Sequence, residues 1–384
     1  MSENNRQQIV VLGGGTGGQV AATRLKQKLG ASARVVLIER SPTFTFAPSL
    51  LWLMVGKRRP ASITRGYDAL RRRGIDVVHA SVTAIDTGAS EVRTNAETFG
   101  YDHLVVSLGA ALDPDRIPGL ATHTHHPYDL ASAERLRDAL ASFSGGRVVV
   151  GIASLPYKCP AAPYETAMLI DGYLRERNIR DRSVIDLYTP EPLPMPVAGP
   201  YPGYSVAAEL AARGIAFHPR TQLESVEPGT ARFSGTDVPF DLGVIIPPHR
   251  PPDVIATSGL AGSNGWIAVD RSTLRARPNN VYAIGDNAAI PLENGMLLPK
   301  AGVFAHGEAE VVAENIARRV RGDLSELAFD GHGTCFLETG GGKSGLARGD
   351  FYASPVPKVA MYRPRRTWHA TKIAFEQYWL RRWI

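Results

Sequence analysis

The sequence is poor in cysteine, with only Cys159 and Cys335 in 384 residues. That count excludes a disulfide scaffold, and so sparse a pair suits reactive chemistry better than stapling. No stretch approaches the roughly 18 uninterrupted apolar residues that a transmembrane helix needs. Met1 to Gln8 is polar where a secretory leader would be apolar, so no signal peptide is expected. Neither sign of charge dominates, with 43 Lys and Arg against 37 Asp and Glu and a net charge of +6. Arg65 to Arg73 holds four arginines but no interleaved aromatics, which reads as a solvated helix face and argues against nucleic acid. His123, His125 and His126 have no Cys or carboxylate cluster beside them. They read as a surface loop, and no metal is expected. Internal repeats and low-complexity runs are also lacking. With 44% hydrophobic residues, the chain suits two compact globular domains.

The N-terminus opens on an apolar strand, Gln8 to Leu12, and then Gly13-Gly-Gly15-Thr16-Gly17-Gly18. An Ala-rich helix and a second strand follow, ending in Glu39 and Arg40. Gly13, Gly15 and Gly18 fit G-x-G-x-x-G. Glu39 falls about 20 residues further on, where a ribose-binding carboxylate belongs. NAD and FAD share this fingerprint. Tyr101 to Ala110 and Asn280 to Asn287 are later strands ending in Gly109 and in Gly285-Asp286. Both resemble accessory motifs of two-dinucleotide flavoproteins, in which the Asp bonds the ribityl chain, so FAD is the expected first cofactor.

Arg147 to Ile152 repeats the buried-strand pattern where such a flavoprotein places its second phosphate turn. That turn needs glycines so that backbone N–H groups can approach a pyrophosphate. Here Gly151, Ile152, Ala153, Ser154, Leu155 and Pro156 stand instead, and Cys159 follows. The stretch reads as a nicotinamide site lost and a thiol site gained. An ordinary strand and loop with a buried cysteine fits the same residues. Lys300-Ala-Gly302 opens a long helix whose N-terminus can face an anionic flavin edge, with Lys300 adding charge. The last residues place Trp368, Phe375, Trp379 and Trp383 near one helical face, and positions 363 to 384 carry net +5. An aromatic face with basic flanks reads as an interfacial membrane helix. A helix docked on the protein's own core, or on a dimer partner, fits the stripe as well.

With Lys158-Cys159-Pro-Ala-Ala-Pro-Tyr-Glu165 in place, the chain resembles sulfide:quinone oxidoreductases and their relatives, the flavocytochrome c sulfide dehydrogenases. The resemblance covers nearly the whole chain. Its specific pieces are the N-terminal glycines, Phe46 to Gly56 with Pro48-Ser49, the Cys159 segment, Pro299-Lys300-Ala-Gly302, and Thr334-Cys335 with Glu338. It implies that Cys159 and Cys335 form a redox disulfide beside the flavin. Sulfide opens that bond to a persulfide and a thiolate, and the flavin passes two electrons to a quinone. It also implies Glu165 as a proton carrier and Lys300 as a partner for the reduced flavin. The FAD site would take Gly13, Gly15, Thr16, Gly17, Gly18, Glu39, Arg40, Pro48, Val82, Gly109, Gly285, Asp286, Lys300 and Gly302. Phe375 is the expected quinone contact. Tyr128 falls where many members carry a third cysteine. Phe44 and Phe46 replace the cysteine that tethers FAD in the flavocytochrome branch, so FAD should be non-covalent. The tail, His369 to Trp383, resembles the quinone-reductase tail but stops early.

The expected fold is α/β, with two tandem Rossmann-like domains, the first split, and a C-terminal amphipathic helical segment. Residues 1–115 and 260–330 would bind FAD, 116–259 would carry Cys159, and 331–384 would carry Cys335 and the membrane helix. The expected location is peripheral, on the cell membrane; a homo-oligomer is compatible with the sequence. Competing functions are an NADH:quinone oxidoreductase of the same fold, or a redox-sensing interaction module with a regulatory disulfide.

Overall fold

A computed structural model describes residues 6–384; the first five residues of the polar Met1–Gln8 stretch lie outside the described residues. The first half of the chain supplies strands β1 (Gln7–Leu12), β2 (Ala33–Ile38), β3 (Asp76–Val78) and β4 (His103–Val106). Further along come β5 (Gly146–Ile152), β6 (Ser183–Tyr188), β7 (Ile215–His218), β8 (Leu242–Ile246) and β9 (Val281–Ala283). These build two parallel sheets. One has the order β9-β4-β1-β2-β3, and the other β7-β6-β5-β8. Their centres are runs of Val, Ile and Leu with almost no exposure. That is the composition of strands covered on both faces.

In the first sheet, β1 is central, and the chain turns sharply at its end. Gly13 has φ +92°, and its N–H bonds the Ile38 carbonyl at 2.8 Å. A Cβ there would lie 2.3 Å from the Ser107 carbonyl oxygen, so only glycine fits. Helix α1 (Thr16–Leu29) follows. In the second sheet, β5 leads through the Cys159 loop into helix α2 (Ala162–Glu176). After β9, helix α3 (Gly302–Val320) packs along α1.

The chain ends in an antiparallel sheet, β10 (His332–Gly340), β11 (Lys343–Asp350) and β12 (Lys358–Arg365), and helix α4 (Arg366–Arg382). β10 lies on α2, and α4 lies on the sheet and on the first unit. The aromatic stripe of α4 faces mostly inward, a correction to its reading as a lipid-facing surface. Trp379 is 3% exposed and Trp383 1%. The His306 ring meets both edge-on at 5.4 and 5.2 Å. Arg24 lies 5.1 Å over Trp383. Glu376, fully buried, takes Arg58 at 2.8 Å and the Ser49 hydroxyl. Arg73, expected on a solvated face, donates instead to the carbonyls of Arg382 and Trp383 at 2.8 and 3.2 Å. A stripe at helical spacing has the same form whether lipid or protein covers it. Phe375 and Tyr378 remain outward, 42% and 55% exposed.

Removing the Trp383 ring should therefore act on stability before anything else. Trp383→Ala is expected to cost about 3–5 kcal/mol, read as a lower midpoint in chemical denaturation. An unchanged midpoint would mean that the ring does not pack as described.

Candidate active site

The first unit forms a dinucleotide cradle at the carboxyl ends of β1 and β2. Gly15 has open space where a Cβ would stand, and helix α1 starts with no side-chain cap and no acidic residue in its first turn. Its N–H groups and positive end are free for a pyrophosphate. The Glu39 carboxylate accepts from Gly14 N–H at 2.6 Å and Ser41 N–H at 2.8 Å, which sets it beside the glycine turn. Gly17 and Gly18 allow α1 to approach Ser107 and the Gly13 carbonyl, and Thr16 stands near Gly302 at the start of α3. Gly109 donates to the Asn287 side chain at 3.1 Å, which couples the turn after β4 to the Gly285-Asp286 turn. Arg40 is exposed just past Glu39; Pro48 lies in a short 3-10 turn and Val82 begins a strand beside the core. These two are set by different elements from the glycine turn. This donor set, bare backbone with Glu39 after β2 and Asp286 after β9, fits FAD.

Three residues of this region were not among the expected site residues. Glu308 sits on the buried face of α3 and accepts from Gly285 N–H at 2.6 Å. Burial pushes its carboxyl up to about 7, with the charge of Asp286 adding and the Gly285 N–H and Lys300 opposing. Asn287 ties two turns together, and the Tyr67 hydroxyl donates to the Gly14 carbonyl at 3.1 Å. A lone acid on an apolar helical face was the one readable sign for Glu308. Lys300 is buried, with Nζ on the carbonyls of Asp286 and Ala288 at 2.6 and 3.3 Å and 3.6 Å from the Trp266 ring centre. Burial draws its ammonium down to about 8, against the charges of Asp286 and Glu308.

The corresponding place in the second unit is filled by side chains. Gln222 bonds the Ala153 carbonyl at 2.6 Å. Glu191, just beyond β6, is buried and takes the hydroxyls of Tyr157, at 3.0 Å, and Tyr164. Tyr188 stacks between His218 and Phe233 at 4.2 and 4.5 Å. A nucleotide would have to displace this packing.

Beside it stand the two cysteines, both thiols in this structure. Cys159 has φ +57°, an uncommon conformation for a side-chain-bearing residue. Its N–H bonds the Lys300 carbonyl at 2.6 Å and its carbonyl accepts from Ala162 N–H at 2.9 Å. The loop is thus clamped between α3's approach and the start of α2. Cys335 comes from β10, opposite Ala347. Glu165, one turn into α2, accepts from Glu338 N–H at 2.8 Å, and Lys372 of α4 reaches it at 3.3 Å. Lys372 also lies 3.8 Å from Glu338, whose carboxylate meets His369 at 2.9 Å. Glu165, Glu338 and Lys372 are all buried.

Burial pushes both thiols up. Cys335 reaches about 12, with Glu165 adding and Lys372 opposing. Cys159 moves the same way through burial, then Glu165 and Cys335. Its exposed side chain leaves water to shorten that push. Burial also raises Glu165, against Lys372 and the Glu338 N–H. The pair therefore holds its protons unless a neighbour accepts them. Tyr128 is buried nearby with an unpartnered hydroxyl, its ring edge-on to His249 at 5.4 Å. Among the described residues, no three His, Cys, Asp or Glu side chains are grouped to hold a metal ion.

Two parallel sheets, a glycine cradle at one and a thiol loop at the other, define an FAD-dependent oxidoreductase of the two-dinucleotide class. The chain belongs to the pyridine nucleotide-disulphide oxidoreductase family, whose model matches residues 7–309. It is similar to the mitochondrial sulfide:quinone oxidoreductase of Mus musculus, 26% identical over 376 residues, covering 92% of this chain and 80% of the relative. The mitochondrial sulfide:quinone oxidoreductase of Dictyostelium discoideum is 28% identical over 366 residues, covering 89% and 77%. The crystal structure of the sulfide:quinone oxidoreductase from Aquifex aeolicus superposes with a TM-score of 0.89 at 24% identity, over 97% of this chain and 90% of that one.

Two measurements check this site. Glu39→Ala should weaken FAD retention by about 1.5–3 kcal/mol, the worth of hydrogen bonds to a charged group, read by fluorimetric titration. Glu165→Gln removes an anion that raises both thiols, so their titration, followed by thiolate absorbance, should move to lower pH. A shift to higher pH would contradict the placement of Glu165.

Proposed function

We propose that this protein oxidises sulfide and reduces quinone, using Cys159 and Cys335 as a redox pair. The observation that carries this reading is that the chain's two cysteines, 176 positions apart, come to one place: Cys159 N–H bonds the Lys300 carbonyl of the FAD-binding unit, Glu165 of the Cys159 segment accepts from Glu338 N–H, three residues after Cys335, and the charges of Glu165 and Lys372 act on both thiols. In this reading the FAD unit is 1–115 and 260–330, residues 116–259 bring Cys159, and 331–384 bring Cys335. Sulfide attacks the disulfide, a sulfur–sulfur bond forms to one cysteine, and the other leaves as a thiolate. Bound FAD supplies the two-electron step between the sulfur and the quinone. Glu165 and Lys372 hold and release the protons that the thiols exchange. The sum is HS⁻ + quinone + H⁺ → sulfur + quinol, with the sulfur retained as persulfide or polysulfide.

NADH as donor is disfavoured by the Glu191, Tyr157 and Tyr164 cluster, which occupies the second nucleotide place. On the acceptor side, the exposed Phe375 lies 6.1 Å from Phe46 and Trp379 and 6.4 Å from Phe336. Such a cluster suits a flat apolar headgroup. We assign a peripheral position on the cell membrane, with Phe375, Tyr378 and the basic flanks of α4 toward the lipid. No helix among the described residues is long and apolar enough to cross a membrane.

Sulfide should bleach the flavin of the purified protein, while NADH should not. Cys159→Ser and Cys335→Ser should each abolish sulfide bleaching yet retain dithionite bleaching, and the double variant should be hardly worse than either. Sulfide bleaching that survives in either single variant sinks the two-cysteine mechanism. Phe375→Ala should raise KM for a long-chain quinone and leave bleaching by sulfide intact; an unchanged KM removes Phe375 from the acceptor site.

A further inference from the structure

The buried Glu165 cluster opens, through Glu338 and His369, on a cavity that neither cysteine lines. His369 Nδ1 lies 2.9 Å from the Glu338 carboxylate, Glu338 lies 3.8 Å from Lys372 Nζ, and Lys372 Nζ lies 3.3 Å from Glu165. Glu338 and His369 both line a cavity of about 300 Å³, together with Trp52, Arg58, Tyr173 and Gly341. Its rim carries the Lys57–Glu176 ion pair, whose side chains are half exposed. The His369 side chain is 26% exposed, whereas those of Glu338 and Glu165 are 1% and 3% exposed. The cavity is polar on the side of the cluster and holds room for several water molecules.

Two carboxylates stand here against one ammonium. The excess negative charge is costly to bury, so one proton held on a carboxyl or on the imidazole neutralises it. The other charged groups facing His369 are already engaged. Arg58 is paired with Glu376 and lies 4.4 Å over the Trp52 ring, Lys57 is paired with Glu176, and Lys372 lies 4.8 Å from that same Trp52 ring. The Trp52 ring, which lines the same cavity, meets His369 edge-on at 5.6 Å. An imidazole with one nitrogen on a buried carboxylate and its other edge toward water is built to pass a proton.

We propose that His369 is the solvent port of a Glu338–Lys372–Glu165 relay, exchanging through this cavity the protons that the buried site takes up and releases. The proposal rests on the sulfide and quinone reading. Each HS⁻ oxidised by two electrons takes one net proton from solvent to complete the quinol. Water protonates one imidazole nitrogen, the opposite N–H passes its proton to Glu338, and a small torsion of Lys372 closes the 3.8 Å gap. Lys372 then hands a proton to Glu165, beside the cysteines.

The test uses the FAD-loaded full chain, His369→Ala and His369→Gln, and a water-soluble short-chain quinone. Dithionite-reduced protein is mixed with the quinone in weak buffer containing a pH indicator, so that proton uptake and flavin reoxidation are followed together. His369→Ala should slow both by about tenfold or more, as for loss of a proton-transfer group, with a larger solvent deuterium isotope effect and unchanged FAD content. Free imidazole, which the enlarged cavity admits, should restore the rate in proportion to its own protonated fraction. His369→Gln should behave as the alanine variant without rescue. Unchanged proton uptake in His369→Ala, or a loss that imidazole does not relieve, overturns the port. Sulfide is absent from this assay. A wild-type protein that sulfide cannot bleach, but whose proton uptake depends on His369, would sink the sulfide reading and leave the port standing.

Discussion

The Lys372 ammonium between Glu165 and Glu338 is the interaction on which the rest of the site depends. It joins three elements from distant parts of the chain: α2, β10 and α4. A buried ammonium with one carboxylate would be a structural pin, and removing either partner would leave an uncompensated charge. With two carboxylates the cluster has room for one further proton. The same arrangement therefore fixes the tail to the body and sets the charge seen by both thiols.

Around that cluster the two parallel sheets play different parts. The first keeps a cradle open: glycine at the turn, a free helix end, and carboxylates after β2 and β9, Glu39 and Asp286. The second closes the equivalent space with tyrosines, a glutamate and Gln222, and uses the freed loop to present a thiol. Cys159 is held at φ +57° by the Lys300 carbonyl and the start of α2, so its position is set by both units at once. The strand order β4-β1-β2-β3 of the first sheet recurs as β8-β5-β6-β7 in the second, and the difference lies in what fills the turn after the first strand: a glycine cradle in one and a loop presenting Cys159 in the other.

Much of the fold was legible in the sequence, because its signals are local. A strand, G-x-G-x-x-G, a helix, a strand and an acid within forty residues have few other physical solutions, and Val-rich runs bounded by glycine read directly as buried strands. The missing glycines after Ile152 were equally readable. The residues that complete the sites were less so. Glu191 has nothing in its neighbourhood to mark it, and Asn287, although it ends the Gly285-Asp286 motif, acts through Gly109 and Val106, 178 and 181 positions away. The stripe of α4 was visible, but what covers it was not, since tryptophans at positions 379 and 383 meet a histidine from α3 and an arginine from α1 rather than lipid. Arg73 was misplaced for the same reason: its partners are backbone carbonyls more than 300 positions away.

The order in which the chain supplies its parts bears on its biosynthesis. Cys159 and Glu165 belong to the middle of the chain, whereas Cys335, Glu338, His369 and Lys372 all come from residues 332 onward. A nascent polypeptide could assemble both parallel sheets while its first sulfur still lacked the second. The cluster around Glu165 would be finished only after residues 332–372 had emerged from the ribosome and β10 had lain down on α2. A chain that stopped before residue 335 would carry Cys159 without Cys335, Glu338 or Lys372 beside it.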